Sequence, residues 1–306
     1  MQIRILGSAA GGRFPQWNCG CANCLAVRQN KFTGKARTQA QLALSADGSR
    51  WLLVGASPDL ASQIEANPEL HPRARRDSPI AGVVLGSADL DHVVGLLLLR
   101  ELQPLRVYAA PSILKILREE NSMFGMLNRV DPQVVWTPIH GHTAFPMLDA
   151  AGQDSGLRCA AHWLSGRYPK YVKSTGLPRE ATAALFFASE SAGSGSRKRL
   201  AYVPAIEKLD DVLLGKIEGA DLLLFDGTFW SDDELIRVQG SGETAHQMGH
   251  IPIEESLDLL KNVEVGRKMF IHLNNTNPIL NEAGEEHRAA RAAGWEIAED
   301  NWRVEL

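Results

Sequence analysis

The chain has 306 residues, 44% of them hydrophobic, enough to bury one large core or two moderate ones. With 22% charged residues and a net charge of −4, it has no general attraction for nucleic acid or anionic membrane. Four cysteines make no disulfide framework at this length, no stretch approaches the roughly 18 apolar residues of a membrane span, and the start lacks a signal-peptide pattern, so a cytoplasmic protein is expected.

Residues 1–6 read as a strand. Runs 41–45 and 51–54 flank the turn signal Ala46-Asp47-Gly48-Ser49 and predict a hairpin. Ser57-Pro58-Asp59 opens a helix through Glu65. The apolar run 83–85 predicts a strand, 93–101 a helix and 105–108 a strand, a βαβ-like unit followed by a helix over 112–119. Strands are then predicted near 157–161, 183–188 and 200–203, with residues 189–197 as a Ser- and Gly-rich hairpin tip. The last third alternates strand 222–225, helix 253–261, strand 268–272 and helix 282–293, then strands near 295–298 and 302–305. Two strand-rich halves with helices interspersed argue for an αββα sandwich. No linker is long enough to separate domains, so residues 1–306 read as one domain.

Three predicted strand ends deliver groups that are costly to bury unless paired or bound to metal. They are Asp89-Leu90-Asp91-His92, Asp226 and His272, and together they suggest one metal site. Each has a plainer reading: acidic capping of a helix start, an Asx turn in Asp226-Gly227-Thr228, and a core histidine bonded to backbone. His250, before the helix at 253, is a candidate proton donor or a capping residue. His246 reads as a surface residue, and His162 as a further ligand or a buried histidine. Cys19-Gly20-Cys21-Ala22-Asn23-Cys24 places three thiols within six residues, which suits a structural zinc. A loop of reduced thiols and a redox pair are the alternatives. The fourth ligand is open between Asn275, water and a displaced histidine. Cys159 reads as a buried small residue. The loop Arg167-Tyr168-Pro169-Lys170-Tyr171-Val172-Lys173 mixes cations and tyrosines, and reads either as a clamp for a carboxylate-bearing substrate or as a solvated basic loop. The glycine-rich start at 7–12 lacks the Gly-Lys-Ser/Thr ending of a phosphate loop.

These residues together resemble the metallo-β-lactamase superfamily and, within it, the pyrroloquinoline quinone biosynthesis protein B family. The resemblance runs nearly end to end. It is carried by Phe14-Pro15-Gln16-Trp17-Asn18-Cys19 with the other cysteines, Ala56-Ser57-Pro58-Asp59 and Asp91-His92-Val93-Val94-Gly95-Leu96-Leu97. It continues through Asp226-Gly227-Thr228-Phe229-Trp230, Met248-Gly249-His250 and His272-Leu273-Asn274-Asn275-Thr276-Asn277-Pro278. It implies an αββα sandwich of metallo-β-lactamase type. The superfamily's hydrolases carry His-x-His-x-Asp-His, where this chain has Ser87-Ala88-Asp89-Leu90-Asp91-His92, so both leading histidines are absent. What remains implies a metal held by Asp91, His92, Asp226 and His272, either alone or with a weak second position, and Asp89 and His250 as catalytic residues.

The family implies Fe(II) at that site, with Zn or Mn as purified alternatives, and O2-dependent hydroxylation of the tyrosine ring in a small acidic Glu–Tyr-derived substrate during pyrroloquinoline quinone (PQQ) synthesis. Arg167, Tyr168, Lys170 and Tyr171 are then candidate substrate contacts. The rivals are a metal-dependent hydrolase of a phosphodiester or peptide-like bond and a non-catalytic PQQ carrier or export protein. A superfamily cyclic phosphodiesterase has a similar cysteine loop, but its structural zinc takes a histidine where this chain has Asn275. Neither nucleic acid nor membrane is an expected partner, and the oligomeric state is left open, a homodimer included.

Overall fold

A computed structural model describes residues 1–131, 133–141, 143–165, 167–190 and 197–306, except for the side chain of residue 190. Most of the hairpin tip expected at 189–197 therefore lies outside the described residues. In chain order the elements begin with β1 (Gln2–Gly7), α1 (Ala22–Arg28), β2 (Gln41–Ser45), β3 (Trp51–Val54), α2 (Leu60–Glu65), β4 (Ile80–Val84) and α3 (Leu90–Val93). They continue with β5 (Leu105–Ala109), α4 (Pro111–Lys115), β6 (Val134–Pro138), β7 (Phe145–Leu148), β8 (Asp154–Ser165), β9 (Thr182–Glu190) and β10 (Arg197–Val203). Then come α5 (Asp211–Ile217), β11 (Leu222–Asp226), α6 (Glu234–Gln239), α7 (Ala245–Met248) and α8 (Ile253–Leu259). Last are β12 (Arg267–Ile271), α9 (Glu285–Ala292), β13 (Trp295–Ile297) and β14 (Trp302–Glu305). The strands form two mixed sheets flanked by helices, the αββα architecture expected.

The chain divides into two compact units. The first comprises Met1–Leu6, Gln41–Arg199 and Asn301–Leu306. It holds a seven-stranded sheet in the order β14-β1-β2-β3-β4-β5-β6, in which β3 to β6 are parallel neighbours. It also holds the antiparallel strands β7, β8 and β9. The Tyr108 hydroxyl on β5 donates to the Leu148 carbonyl on β7 at 3.0 Å, and Leu53, Val83 and Val107 lie in the core cluster.

The helix expected over 93–101 is instead α3 followed by a 3₁₀ segment, Val94–Leu99. The cause is tertiary: the His92 carbonyl accepts from Ala56 N–H at 2.7 Å, and Gly95 N–H donates to the Ala56 carbonyl at 2.8 Å. Both groups are thereby taken from the i→i+4 ladder. A Cβ at Gly95 would meet the Ser57 carbonyl at 2.2 Å, so only glycine allows this approach. The expected helix over 112–119 is likewise α4 followed by a π-helical turn, Ile116–Glu120.

The second unit comprises Gly7–Ala40 and Leu200–Asp300. It carries the parallel neighbours β10, β11, β12 and β13, whose apolar runs are buried on both faces. Phe270 stacks on Trp295 with centroids 4.0 Å apart, and Phe225 meets the same ring edge-on at 6.1 Å. Burying each such side chain contributes roughly 1.5–3 kcal/mol, so the ends of β11 and β12 are rigidly held. Helices α5 and α7 are short but well capped: Asp210 accepts from Leu213 N–H, and Thr244 with Gln247 forms a capping box.

Candidate metal centre

Within the second unit, β11 ends on Asp226 and β12 runs directly into His272. Gly227 lets the two exits approach: its N–H donates to the Ile271 carbonyl at 2.8 Å, and a Cβ there would stand 2.9 Å from the Phe270 side chain. The Asp226 carboxylate is fully buried. Its Oδ1 accepts from Thr228 N–H (3.0 Å) and Thr228 O–H (2.7 Å), and its Oδ2 accepts from Ile206 N–H (3.1 Å) and lies 2.8 Å from His250 Nδ1. These donors are what a buried carboxylate needs. The Asx turn is thus realised at Oδ1.

Nδ1 of His272 lies 2.9 Å from the Thr228 hydroxyl oxygen. That hydroxyl donates its proton to Asp226, so it accepts from His272 Nδ1–H. This sets the tautomer in which Nε2 carries the lone pair, the arrangement of a metal-ligating histidine. His250 is oriented the same way, Nδ1–H toward Asp226, and its ring stacks on His272 at 5.7 Å with Phe229 edge-on at 5.8 Å. His272 has φ +63°, a left-handed conformation that costs a non-glycine residue about 1–2 kcal/mol. The following residue pins it there, Leu273 N–H donating to the Ser8 carbonyl at 3.0 Å. Ligand atoms of Asp226, His250 and His272 all lie within 4.8 Å of one another. Two imidazoles and a carboxylate so placed fit a divalent cation.

In the first unit, Asp89 occupies the N-cap position of α3 but makes no side-chain capping bond, so the capping role is not realised there. Asp91 Oδ2 stands 3.6 Å from His92 Nε2, and both side chains are half-buried. The basic loop anchors itself beside this turn. The Tyr171 hydroxyl donates to the Ala88 carbonyl, and the Tyr168 hydroxyl bonds Ser112 Oγ (2.7 Å) and the Pro178 carbonyl (2.8 Å). Burial, with Asp89 and Glu120 nearby, pushes the Tyr171 hydroxyl up to about 12. Both tyrosines therefore serve as anchors of the loop, while Arg167, Lys170 and Lys173 are its exposed cations.

The cysteine loop belongs to the second unit. Cys19 and Cys21 are half-buried, Cys24 is buried in α1, all three are free thiols, and their sulfurs fall within one metal-sized group. Burial and the neighbouring thiols push Cys24 up to about 11. Burial also raises Cys19, but hydrogen bonds to Cys21, Cys24 and Asn275 bring it below its ordinary value. The Asn275 carboxamide nitrogen points into the cluster, 3.1 Å from Cys19 Sγ, 3.5 Å from Cys24 Sγ and 3.7 Å from Cys21 Sγ. An amide's oxygen and nitrogen exchange places by a half-turn, so the same side chain presents Oδ1 to a cation. Three thiols and one carboxamide fit a zinc ion, and among the described residues no histidine joins this group.

His246 is exposed and lies 2.9 Å from Glu255, a surface pair as expected. His162 is buried on β8, outside every metal-sized group among the described residues. Cys159 is wholly buried, with its thiol pushed far up by burial. Thr228 and Glu234 are not marked by the sequence, since Asp-Gly-Thr reads as a turn and Glu234 as an ordinary first-turn acid of a helix. Among the described residues no helix is long and apolar enough to cross a membrane.

Residues 50–273 match the model of the beta-lactamase superfamily domain. The chain is 41% identical over 313 residues to coenzyme PQQ synthesis protein B of Methylobacterium sp. (strain 4-46), and 38% identical over 310 residues to that of Methylorubrum extorquens (strain PA1). Each alignment covers 100% of both chains. The crystal structure of zinc-bound PqqB from Methylobacterium extorquens matches with a TM-score of 0.90 at 40% identity, covering 100% of each chain.

Proposed function

The chain belongs to the coenzyme PQQ synthesis protein B family of the beta-lactamase superfamily, and on that premise we propose that it is a metal-dependent oxygenase of PQQ biosynthesis. Its substrate is a small acidic intermediate derived from Glu and Tyr, and its reaction is O2-dependent hydroxylation of the tyrosine ring, in which one oxygen atom enters the ring and the other leaves as water with two electrons and two protons from an external two-electron reductant. The observation that carries this reading is the convergence of Asp226, His250 and His272 within 4.8 Å. Asp226 and His272 are donors of the kind found in non-haem iron oxygenases, and His250, which Asp226 orients beside them, is the neighbouring proton carrier.

In this reading Asp226 and His272 hold the metal. Fe(II) bound by such a set supplies oxygen activation. The chain's own residues do the rest. Thr228 keeps the His272 imidazole in its ligating tautomer. His250, oriented by Asp226 through Nδ1, holds and releases a proton at Nε2, where the phenol exchanges its own. Asp89 provides a second carboxylate for proton handling at the start of α3. Arg167 and Lys170 draw the substrate carboxylates to a loop that Tyr168 and Tyr171 fix in place.

The test is oxygen uptake by metal-stripped protein reconstituted anaerobically with Fe(II), with Zn(II) as control, on addition of a Glu–Tyr dipeptide and a two-electron reductant such as ascorbate. Iron-only uptake matched by a hydroxylated tyrosine is the expected result. Uptake unaffected by His272→Ala would refute the site assignment.

A second reading, metal-dependent hydrolysis, is favoured by the zinc in the related crystal structure. Its signature is zinc-dependent cleavage of a phosphodiester without oxygen.

A further inference from the structure

We infer that Glu234 is a positioning residue for the metal centre, a carboxylate strut that ties the segment carrying Asp226 and Thr228 to the segment carrying His272 and Asn275. The inference rests on the reading that Asp226 and His272 hold metal. Glu234 sits in the first turn of α6 and is only 3% exposed. Its Oε2 accepts from Trp230 N–H at 2.6 Å, and its Oε1 accepts from the Thr276 hydroxyl at 2.5 Å.

Each end of the strut is close to site residues without touching a ligand. Trp230 lies two residues after Thr228, whose hydroxyl joins Asp226 to His272. Thr276 follows Asn275, whose carboxamide faces the three cysteine sulfurs. Further bonds lace the same two segments, Asn274 N–H to the Thr228 carbonyl (3.1 Å) and Asn277 Nδ2 to the Gly227 carbonyl (2.9 Å), while Asn274 Nδ2 donates to Thr276 Oγ1 (2.5 Å) within its own segment. All of these residues lie in the second unit.

An apolar side chain at this buried position would pack more cheaply than a carboxylate, because burial penalises the charged form. What the carboxylate adds is two acceptors aimed in different directions. They set the distance between the β11 exit and the β12 exit, and hence the spacing of ligands at both the histidine–carboxylate centre and the cysteine centre.

Cobalt titration tests this, because thiolate–cobalt charge-transfer bands report the cysteine centre and ligand-field bands the histidine–carboxylate centre. Glu234→Ala is expected to weaken cobalt binding at both by up to about tenfold, the lower end of what losing a ligand's own hydrogen-bond partner does, because Glu234 acts one step further out. Glu234→Gln, which keeps an acceptor for Trp230 and a polar partner for Thr276, should stay within about threefold of wild type, since most of the outer-shell contact survives. Thr276→Val cuts the same strut at its other end with little change of shape. It should reproduce the loss, and the Glu234→Ala/Thr276→Val double variant should be no worse than either single.

If His272→Ala binds cobalt as wild type does, the metal assignment falls and the strut with it. If His272→Ala loses the ligand-field bands while Glu234→Ala and Thr276→Val bind normally at both centres, the strut alone is wrong. Additive losses in the double variant also overturn it.

Discussion

The Thr228 hydroxyl stands 2.9 Å from Nδ1 of His272, and because it gives its own proton to Asp226 it can only accept from the imidazole. One hydroxyl thus dictates which nitrogen of His272 faces a cation. Thr228→Val should leave the strands intact but lower metal affinity by roughly 10–100-fold, whereas Thr228→Ser should retain it. Chelator competition on the two variants checks this, and equal affinity in Thr228→Val would show that the tautomer is set elsewhere.

His272 sits in a left-handed conformation with φ +63°, so part of its cost is conformational and separable from ligation. His272→Gly and His272→Ala should both lose the metal. Without metal, the glycine variant should be the more stable by roughly 0.5–1 kcal/mol, the left-handed penalty less the larger unfolded-state entropy of glycine. Urea unfolding of the two metal-free variants measures the difference. An alanine variant as stable as the glycine one would mean the loop relaxes out of the left-handed region.

Glu234 ties stability to pH. Burial pushes its carboxyl up to about 7, although bonds from Thr276 and Trp230 pull it down, against 4.5 for an unburied glutamate. Between those values the folded chain holds the proton more tightly than the unfolded chain. The group's contribution is therefore complete below about pH 4.5 and falls as pH rises through 7, by on the order of 3 kcal/mol. Glu234→Gln should flatten the pH dependence of unfolding between 5 and 8 and be more stable than wild type at pH 8. Parallel profiles would place the titration in another group.

The basic loop separates anchoring from recognition. Tyr171→Phe removes the bond to the Ala88 carbonyl and should lower stability by about 0.5–1.5 kcal/mol. Arg167→Ala changes an exposed side chain, so stability should stay within about 0.5 kcal/mol while KM for an acidic dipeptide rises. Melting temperature and KM measured on both variants distinguish the roles. An unchanged KM in Arg167→Ala would remove that residue from substrate binding.

The strands and the polar residues at their ends were legible because buried parallel strands are uninterrupted apolar runs, as in Leu222-Leu223-Leu224-Phe225. The break after α3 was not, because it arises from Ala56 bonding His92 and Gly95 across the fold, which no local periodicity records. The same holds for Tyr168 and Tyr171, whose amphipathic character fits substrate contact and internal anchoring equally well. Glu234 is the extreme case: a first-turn acid is ordinarily solvated, and only the packed fold reveals two partners and near-complete burial.

Three thiols share one small volume, and Cys24, pushed up to about 11 by burial and by its neighbours, keeps its proton until a cation arrives. Zinc binding must therefore displace thiol protons and weaken as pH falls. Asn275, whose carboxamide lies over the sulfurs, is the proposed fourth ligand, a poorer zinc donor than imidazole. Asn275→His should tighten zinc at this centre, Asn275→Ala should loosen it, and Cys24→Ser should reduce the bound zinc by one equivalent with a lower melting temperature. Zinc content and chelator competition on the purified variants decide the matter. Unchanged affinity in Asn275→Ala would assign the fourth position to water.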